Sequence, residues 1–462
     1  MKKIREELIT CLINDIYTNA QGDDWNEIYD ELIYSLENST ILSEEEKKFA
    51  IKESTWDKNF FNMNKKGSQY ICSTCEKSGY TIDDCEHCLR DCLSKDFGNW
   101  TSGSSKIDEA IREAQIQMPL PRALTEWIPY THLENIKFFK QGGCSSIYTA
   151  TWTNGLITSF NKKKQMFERT PNISVALKYL KGSATANDQF LNELKTHVML
   201  ASKGYLVVDC YGITRDPLTQ DFVLVLKKLD GDLRDYIFKN HESLTWKDVY
   251  RLLSYLFYTL KFIHHDGIVH KDLHCGNFMY KNGGWALADL GFTGPSDKES
   301  NAVYGNLAYM APEVLLRGEY TIATDIYSAG MLMYQCCSGV PPFYGLNHDS
   351  NLMLHICDGI RPTIPETIPQ FYKDIMKKCW YTDPLKRPKS EELYNLFEER
   401  LKESSEIIDE LNTFVFKDFV ITDPLGDFNN ITLDEQLGTF YESYYSENFK
   451  NIKNHALISQ SL

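Results

Sequence analysis

The sequence predicts an α+β fold in two lobes, preceded by a helical extension that also holds a cysteine cluster. Three observations support this prediction. Strand-like runs occur between Ile136 and Leu226, a mainly helical pattern follows Asp232 as far as about Leu401, and the first 60 residues repeat apolar positions at helical spacing. Strands first and helices later are typical of a two-lobed α+β unit.

The chain divides into five predicted regions. In order, they are a helical region (1–66), a cysteine-rich, zinc-ribbon-like module (67–98), a linker (99–133), the two-lobed domain (134–401) and an acidic, aromatic tail (402–462). Within the first region, Ser43 and Glu46 have the spacing of a capping box that begins a helix. An insertion from Asn154 to Ser174, rich in Lys, Asn and Thr, interrupts the strand-like region, and its role stays open.

Composition narrows the classes of partner. Hydrophobic residues make up 42% of the 462 positions, so a large core can form. The formal charge of −15 disfavours nucleic acid and anionic membranes, which both need a basic face. The start, Met1–Glu7, does not resemble a signal peptide, and the most apolar stretch, 328–340, is too short and polar to span a bilayer. We therefore expect a cytoplasmic protein with no nucleic-acid partner and no membrane insertion.

Two Cys-x-x-Cys turns stand close together. Cys72 and Cys75 are followed, after nine residues, by Cys85 and Cys88. This spacing is that of a four-thiolate structural zinc site. The alternatives are that Cys85, Cys88 and Cys92 are buried thiols on one helix, or that the cluster has a redox role.

The densest chemical motif is His-Lys-Asp-Leu-His-Cys-Gly-Asn at His270–Asn277, with Asp289-Leu290-Gly291 twelve residues beyond it. Two carboxylates and a carboxamide are hard oxygen ligands suited to Mg²⁺. The two segments resemble the catalytic loop and the metal-binding loop of protein kinases, with leucine in place of the usual phenylalanine. The resemblance implies that Asp272 accepts the proton of a protein hydroxyl, and that Asn277 and Asp289 hold Mg²⁺ during phosphoryl transfer from ATP.

A lysine and a glutamate precede these motifs in the expected order. Val175-Ala176-Leu177-Lys178 alternates as a strand, which places Ala176 and Lys178 on one face. Glu193 lies next to the apolar face of the predicted helix that follows. An ion pair between Glu193 and Lys178 would hold the ammonium against the α- and β-phosphates of ATP.

Further motifs keep the kinase order. Ala311-Pro312-Glu313, Asp325 and Arg387 match the end of the activation segment, the residue that braces the catalytic loop and the arginine that pairs with the glutamate. The resemblance covers residues 134–401 and implies an N-lobe with an antiparallel sheet and one helix, and a mainly helical C-lobe. Asp-Leu-Gly and Cys379-Trp380 resemble the tyrosine-kinase-like branch. The cysteine motif followed by Asn-Trp-Thr-Ser-Gly at 99–103 is similar to an expanded family of fungal kinases.

The phosphate-binding loop departs from the family pattern. The usual Gly-x-Gly-x-x-Gly is replaced by the segment 140–145, where only Gly142 falls on the pattern and Gly143 is its neighbour. Leu226 stands at the gatekeeper position and Leu229 in the hinge. The resemblance implies a nucleotide site made by these residues and others: Gly142, Gly143, Ile147, Ala176, Lys178, Leu226, Leu229 and Asp289.

The predicted function is an ATP-dependent protein kinase acting in signalling, with serine or threonine favoured over tyrosine as acceptor. Lys271 replaces the usual arginine of the catalytic loop, and His274 stands where Ser/Thr kinases usually have lysine. Two alternatives stay open: a pseudokinase scaffold that binds nucleotide without transfer, and an adaptor that works through its cysteine region and tail. Candidate phosphosites are Thr293, Ser296, Ser300 and Tyr304.

Overall fold

The chain folds into two compact units. The first takes its residues from Met1–Gly204, Val208–Asp230 and Lys281–Gly284, and the second from Tyr205–Val207, Gly231–Tyr280 and Trp285–Leu462. Within the described part of the chain, no helix combines the length and the apolar character that crossing a bilayer requires. The computed structural model describes residues 4–19, 25–65, 67–81, 84–117, 120–141, 145–161, 164–180, 182–185, 188–203, 205–291, 293–295, 305–402 and 411–415.

Three helices open the first unit: α1 (Glu6–Asn19), α2 (Trp25–Glu37) and α3 (Glu44–Lys65). Their apolar residues recur at helical spacing and meet in a small core that contains Ile9, Leu32 and Leu36. The predicted capping box of α3 is confirmed, because the Ser43 N–H donates to Glu46 Oε2 (2.9 Å) and the Glu46 N–H donates to Ser43 Oγ (3.4 Å).

The cysteine-rich segment forms a hairpin, β1 (Tyr70–Ile71) and β2 (Ser78–Gly79), followed by α4 (Glu86–Asp96) and α5 (Ser105–Gln117). A carboxylate in the first turn of α5 binds the loop that precedes the helix. The Asp108 carboxylate accepts from the Ser102 N–H (2.7 Å) and from the Thr101 hydroxyl (2.6 Å). The segment expected to be a linker therefore contains a helix.

A six-stranded sheet in the order β3-β9-β10-β8-β5-β4 dominates the rest of the first unit. Its neighbours pair antiparallel, except that β3 is parallel to β9. Val175, Leu177, Val223 and Val225 lie in its core. In chain order, the elements are β3 (Glu126–Trp127), β4 (Leu133–Gln141), β5 (Ser145–Trp152), β6 (Leu156–Asn161), β7 (Met166–Thr170), β8 (Ile173–Leu180), α6 (Asp188–Ser202), β9 (Cys210–Arg215) and β10 (Phe222–Lys227).

The insertion at 154–174 forms a separate hairpin of β6 and β7, outside the large sheet. Gly155 enters it with φ +67°, and a Cβ there would lie 1.8 Å from the Thr170 carbonyl oxygen. Glycine alone avoids that collision, so the geometry of the hairpin depends on this position.

The second unit is mainly helical, which confirms the predicted α+β class with a sheet-containing first unit. Its longest helix carries Tyr250 and Phe257 in the core, where both contact Phe397. The elements that lie wholly or mostly in this unit are, in chain order, β11 (Gly231–Asp232), α7 (Leu233–Asn240), α8 (Trp246–His265), β12 (Ile268–Val269), β13 (Phe278–Lys281), β14 (Gly284–Leu287), β15 (Gly294–Pro295), α9 (Pro312–Arg317), α10 (Ile322–Ser338), α11 (Ser350–Cys357), α12 (Gln370–Cys379) and α13 (Ser390–Lys402).

The described part of the C-terminal tail, residues 411–415, packs on the segment that begins α8. The Trp246 N–H donates to the Thr413 carbonyl (3.1 Å), and the Val415 N–H donates to the Leu244 carbonyl (2.9 Å). Leu411 is buried beside them. Residues 411–415 therefore pack as part of the second unit.

A buried ion pair joins the start of α9 to the loop before α13. Two guanidinium nitrogens of Arg387 contact the two carboxylate oxygens of Glu313 at 2.5 and 2.8 Å, and Arg387 Nε donates to the Tyr381 carbonyl (2.9 Å). The Arg387 side chain has no exposed surface. The pairing predicted from the sequence is confirmed, and its bidentate geometry suits arginine and not lysine.

Replacing Arg387 with alanine would leave the Glu313 carboxylate buried without its partner. We expect this change to lower the free energy of unfolding by about 3–5 kcal/mol, measured by urea denaturation. The control is Lys386→Ala, which removes the side chain of the neighbouring residue. The Lys386 side chain is 71% exposed, so this change should have little effect on the free energy of unfolding. A loss under about 1 kcal/mol in Arg387→Ala would contradict the prediction, because that is the range of exposed pairs.

Candidate functional site

Lys178 lies on β8 and Glu193 on α6, and their charged groups meet in the first unit. Lys178 Nζ donates to Glu193 Oε1 at 2.5 Å. The two side chains are 5% and 1% exposed. The structure therefore forms the ion pair that the sequence predicts, and it forms it almost without contact with water.

The register of the sheet gathers other predicted residues around Lys178. Ile147 on β5 is directly opposite Lys178, and Leu226 on β10 is directly opposite Ala176. Residues opposite each other share a face, as do residues two apart on a strand. Ile147, Ala176, Lys178 and Leu226 therefore occupy one face of the sheet. Leu229 is partly buried just after β10, and Gly142 and Gly143 lie outside the described residues.

In the second unit, the Asp325 carboxylate holds the loop that contains Asp272. It accepts from the N–H groups of His270 (2.8 Å) and Lys271 (3.0 Å), and it contacts His264 Nε2 (2.9 Å). The other nitrogen of that ring lies 3.1 Å from Ser390 Oγ. The sequence pointed to Asp325 but not to His264. The only signal for His264 in the sequence is that it is a polar residue on the apolar face of α8, near the end of the helix.

Asp272 and Asn277 are joined by the amide of the asparagine. Asn277 Nδ2 donates to the Asp272 carbonyl (2.9 Å) and to its Oδ2 (3.3 Å). Since the nitrogen of the amide is turned towards Asp272, Oδ1 is the atom that Asn277 offers to a cation. The two residues predicted from the motif are thus held as one group.

Asp289 is tied to the same group through the backbone. The Ala288 N–H donates to the Asn277 carbonyl (2.8 Å), and His270 Nε2 lies 3.1 Å from the Ala288 carbonyl, so that nitrogen carries the proton. Asp289 has φ +56° and Lys271 has φ +71°, values uncommon for residues other than glycine. The oxygens of Asn277 and Asp289 fit the ligand chemistry of Mg²⁺, which prefers carboxylate and amide oxygens.

Of the candidate phosphosites, Thr293 is the one that the structure describes. Its side chain is buried, and Oγ1 donates to the His270 carbonyl at 3.5 Å. Its hydroxyl therefore contacts the loop that contains Asp272 and is not presented at the surface. Ser296, Ser300 and Tyr304 lie outside the described residues.

The four predicted zinc ligands come together in the first unit. The Sγ atoms of Cys72 and Cys88 are 3.9 Å apart, those of Cys75 and Cys85 are 3.6 Å apart, and all four lie within 4.8 Å of one another. Four sulfurs around one Zn²⁺ at about 2.3 Å would be separated by about 3.8 Å in a tetrahedron. The geometry fits a structural zinc site with no open position.

The pKa shifts of the cysteine thiols also fit a site for a metal cation. Burial raises the pKa of the Cys88 thiol well above its usual range, and neighbouring thiols raise it further. Burial acts in the same direction on Cys72, but the N–H groups of Cys75 and Thr74 outweigh it and lower the pKa of Cys72 to about 6. The thiolate form of Cys72 is therefore favoured, whereas that of Cys88 is disfavoured. Several neighbouring thiolates would repel one another unless a metal ion neutralised their charge.

A buried carboxylate supports the cysteine loops. Glu86 Oε1 accepts from the Tyr80 N–H (2.8 Å), and Oε2 accepts from the Thr81 hydroxyl (2.9 Å). A Cβ at Gly79 would lie 2.5 Å from Glu86 Oε2, so glycine leaves room for this carboxylate. Sequence reasoning missed Glu86, because a glutamate in the first turn of a helix is usually exposed.

The β6–β7 hairpin packs directly on the cysteine cluster. Ile157 and Phe160 are buried in one apolar group with the cysteines and with Leu89 and Leu93 of α4. The Phe160 N–H donates to Asp84 Oδ1 (2.8 Å). This contact gives the insertion a structural role that sequence reasoning missed, because the two segments are about 70 residues apart.

Comparison with known families agrees with the geometry of both units. The model of the protein kinase domain family matches residues 159–396, just over half of the chain. The chain belongs to the protein kinase family. The match begins in the β6–β7 hairpin, so β4 and β5 precede it.

Curated kinases from distant organisms are similar over part of this kinase. A human SNF-related serine/threonine-protein kinase is 34% identical over 37% of this chain and 23% of its own. A probable serine/threonine-protein kinase of Dictyostelium discoideum is 25% identical over 49% of this chain and 25% of its own. The chicken mast/stem cell growth factor receptor Kit is 33% identical over 34% of this chain and 18% of its own. The matched region thus spans a quarter or less of each relative.

The apolar contact of the hairpin generates a stability prediction. Phe160→Ala removes a side chain that is 4% exposed and leaves a cavity beside the cysteines. We expect the free energy of unfolding to fall by about 3–5 kcal/mol. Met166→Ala, on the same hairpin at 62% exposure, should change it by less than about 0.5 kcal/mol. Equal effects of the two changes in chemical denaturation would show that the hairpin does not pack on the cluster.

Proposed function

We propose that this chain is an active, ATP- and Mg²⁺-dependent protein kinase that phosphorylates serine or threonine. The observation that supports this most strongly is the ion pair of Lys178 and Glu193. Burying both charges has a high desolvation cost, and such a pair adds little stability over apolar residues of similar volume. A pair that is kept despite this cost is best explained by its use in holding the phosphates of ATP.

The face of the sheet around Lys178 provides the nucleotide surface in this proposal. Ile147, Ala176 and Leu226 offer apolar contact to adenine, Leu229 continues that surface in the hinge, and Gly142 and Gly143 bring backbone close to the phosphates. Lys178 neutralises charge on the α- and β-phosphates. Leu226, at the gatekeeper position, limits how far a ligand reaches towards α6.

Phosphoryl transfer follows from the residues of the second unit. Asn277 and Asp289 would hold Mg²⁺, which supplies charge neutralisation at the β- and γ-phosphates. Asp272 orients the substrate hydroxyl and accepts its proton. The substrate oxygen then forms a bond to the γ-phosphorus, the bond from that phosphorus to the β–γ bridging oxygen breaks, and ADP leaves with that oxygen.

The acceptor residue, the branch of the kinase family and the bounds of the domain are also proposals. The relatives named as serine/threonine-protein kinases support serine or threonine as the acceptor. Asp289-Leu290-Gly291 and Cys379-Trp380 support the tyrosine-kinase-like branch, and the cysteine motif supports the similarity to fungal kinases. We propose residues 134–401 as the kinase domain, with ATP and a protein substrate as partners in cytoplasmic signalling.

The decisive assay is transfer of γ-labelled phosphate from Mg²⁺–ATP to the chain itself and to a generic protein substrate. We expect incorporation in the parent and a loss of at least about 100-fold in Asp272→Asn, because the asparagine cannot accept the proton. The control, Asp358→Asn, changes an exposed carboxylate after α11 and should retain the parental rate.

The outcome also decides between an enzyme and a scaffold. Labelled phosphoserine or phosphothreonine that disappears in Asp272→Asn would support the proposal. Nucleotide binding without any incorporation, after treatment with an upstream kinase preparation, would contradict it and favour a pseudokinase.

We further propose that Cys72, Cys75, Cys85 and Cys88 bind one structural Zn²⁺. The separations of their sulfur atoms and their burial support this. Bound zinc would supply the charge that makes four neighbouring thiolates stable, and the cysteines themselves would clamp the β1–β2 turn to the start of α4.

Elemental analysis of the purified chain tests the zinc proposal. We expect about one zinc per chain in the parent, and less than about 0.2 in Cys75→Ser, because three thiolates bind structural zinc much more weakly than four. Cys92→Ser, which changes a cysteine outside the quartet, should keep the parental content. Zinc should leave below about pH 5, since protons compete for the thiolates. A metal-free parent that remains folded would overturn the proposal.

A further inference from the structure

His274 lies two residues after Asp272, and its ring has a defined orientation. It caps the short turn Cys275–Asn277, where the Gly276 N–H donates to His274 Nδ1 at 3.0 Å. A ring nitrogen that accepts a hydrogen bond carries no proton, so in the neutral ring the proton is on Nε2. The backbone of the catalytic loop thus selects one tautomer of this histidine.

The other ring nitrogen lies near the Asp272 carboxylate, at a distance longer than a hydrogen bond. His274 Nε2 lies 3.7 Å from Asp272 Oδ2, and the two side chains are 21% and 13% exposed. The ring of Tyr309 lies against the histidine, with 5.9 Å between centroids. Contacts of this kind are commonly longer without substrate and shorten when it binds.

The two oxygens of Asp272 have different surroundings. Oδ2 faces two N–H donors, Asn277 Nδ2 at 3.3 Å and His274 Nε2 at 3.7 Å. On the other side, a Cβ built at Gly305 would come within 3.2 Å of Oδ1, so glycine keeps that side open. Oδ1 is therefore the oxygen that can approach a substrate hydroxyl.

We propose that His274 is a positioning residue for phosphoryl transfer, whose neutral Nε2–H holds Asp272 Oδ2 and so directs Oδ1 towards the substrate. This inference rests on the proposed kinase activity. A lysine at this place would supply a mobile cation with three donors, whereas the capped imidazole supplies one donor in a set direction. The histidine thus acts through the orientation of the Asp272 carboxylate.

The tautomer can be measured without any activity. In the full-length chain labelled with ¹⁵N-histidine, long-range ¹H–¹⁵N spectra at pH 7.5 distinguish the two neutral tautomers and the cation, and the signal lost in His274→Asn assigns the residue. We expect the Nε2–H tautomer. A signal of the Nδ1–H tautomer or of the cation would overturn the inference.

Two substitutions separate the cap from the donor. His274→Asn keeps an acceptor for the Gly276 N–H but cannot reach Asp272, and His274→Gln keeps a donor at the place of Nε2 but loses the acceptor. We expect His274→Asn to lower kcat about tenfold with KM for ATP unchanged, and His274→Gln to stay within about threefold of the parent. His355→Asn, at an exposed position on α11, is the control.

The pattern of results separates this inference from the proposed function. If His274→Gln is impaired and His274→Asn is not, the ring serves only to cap the turn, and the inference is wrong. Equal rates in all variants would also overturn it. A parent that transfers no phosphate would instead refute the proposed function and with it the catalytic role, while the tautomer would still be read from the spectra.

Discussion

The second unit depends on one buried carboxylate. Asp325 is 1% exposed and accepts two backbone N–H groups of the catalytic loop while it contacts His264. These bonds offset the unfavourable left-handed backbone of Lys271, which turns the next residue, Asp272, towards Asn277. The positions of Asp272, Asn277 and Asp289 therefore follow from a contact made by a helix more than 30 residues further along the chain. A carboxylate that lost these donors would be left buried and charged, which explains why the whole arrangement forms together.

In the first unit, the cysteine module depends on contacts with another segment of the chain. Its cysteine module has two-residue strands and one helix, too little apolar surface to fold alone. The four cysteines and the β6–β7 hairpin together complete a small core, in which Phe160 and Leu89 pack with the cysteine side chains. The insertion in the sheet thus acts as the partner of the preceding module. It links the geometry of the cluster to β5 and β8, the strands that hold Ile147 and Lys178.

Two departures from the family pattern lie in the loop that contains Asp272. Lys271 retains the positive charge of the arginine it replaces, and its ammonium lies 5.8 Å from the centre of the Tyr320 ring. His274 replaces the usual lysine with an imidazole, whose Nδ1 accepts from the Gly276 N–H of the following turn. By contrast, the buried pair of Arg387 and Glu313 retains the usual residues, because only a bidentate fork satisfies both carboxylate oxygens in the absence of water.

The sequence by itself determined the α+β class, the helices of residues 1–66, and the identity of the groups at the site. Periodicity and capping are local properties, and the spacings around Asp272 and around Cys72 and Cys75 restrict the chemistry to few possibilities. Tertiary structure decided what depends on contacts between distant segments. His264 contacts the Asp325 carboxylate because α8 ends beside it. The insertion stabilises the cysteine module because its hairpin packs against α4. The tautomer of His274 depends on a backbone N–H whose direction exists only once the turn has formed. Such properties cannot be read from residue types, since each depends on the direction of a bond that the folded backbone sets.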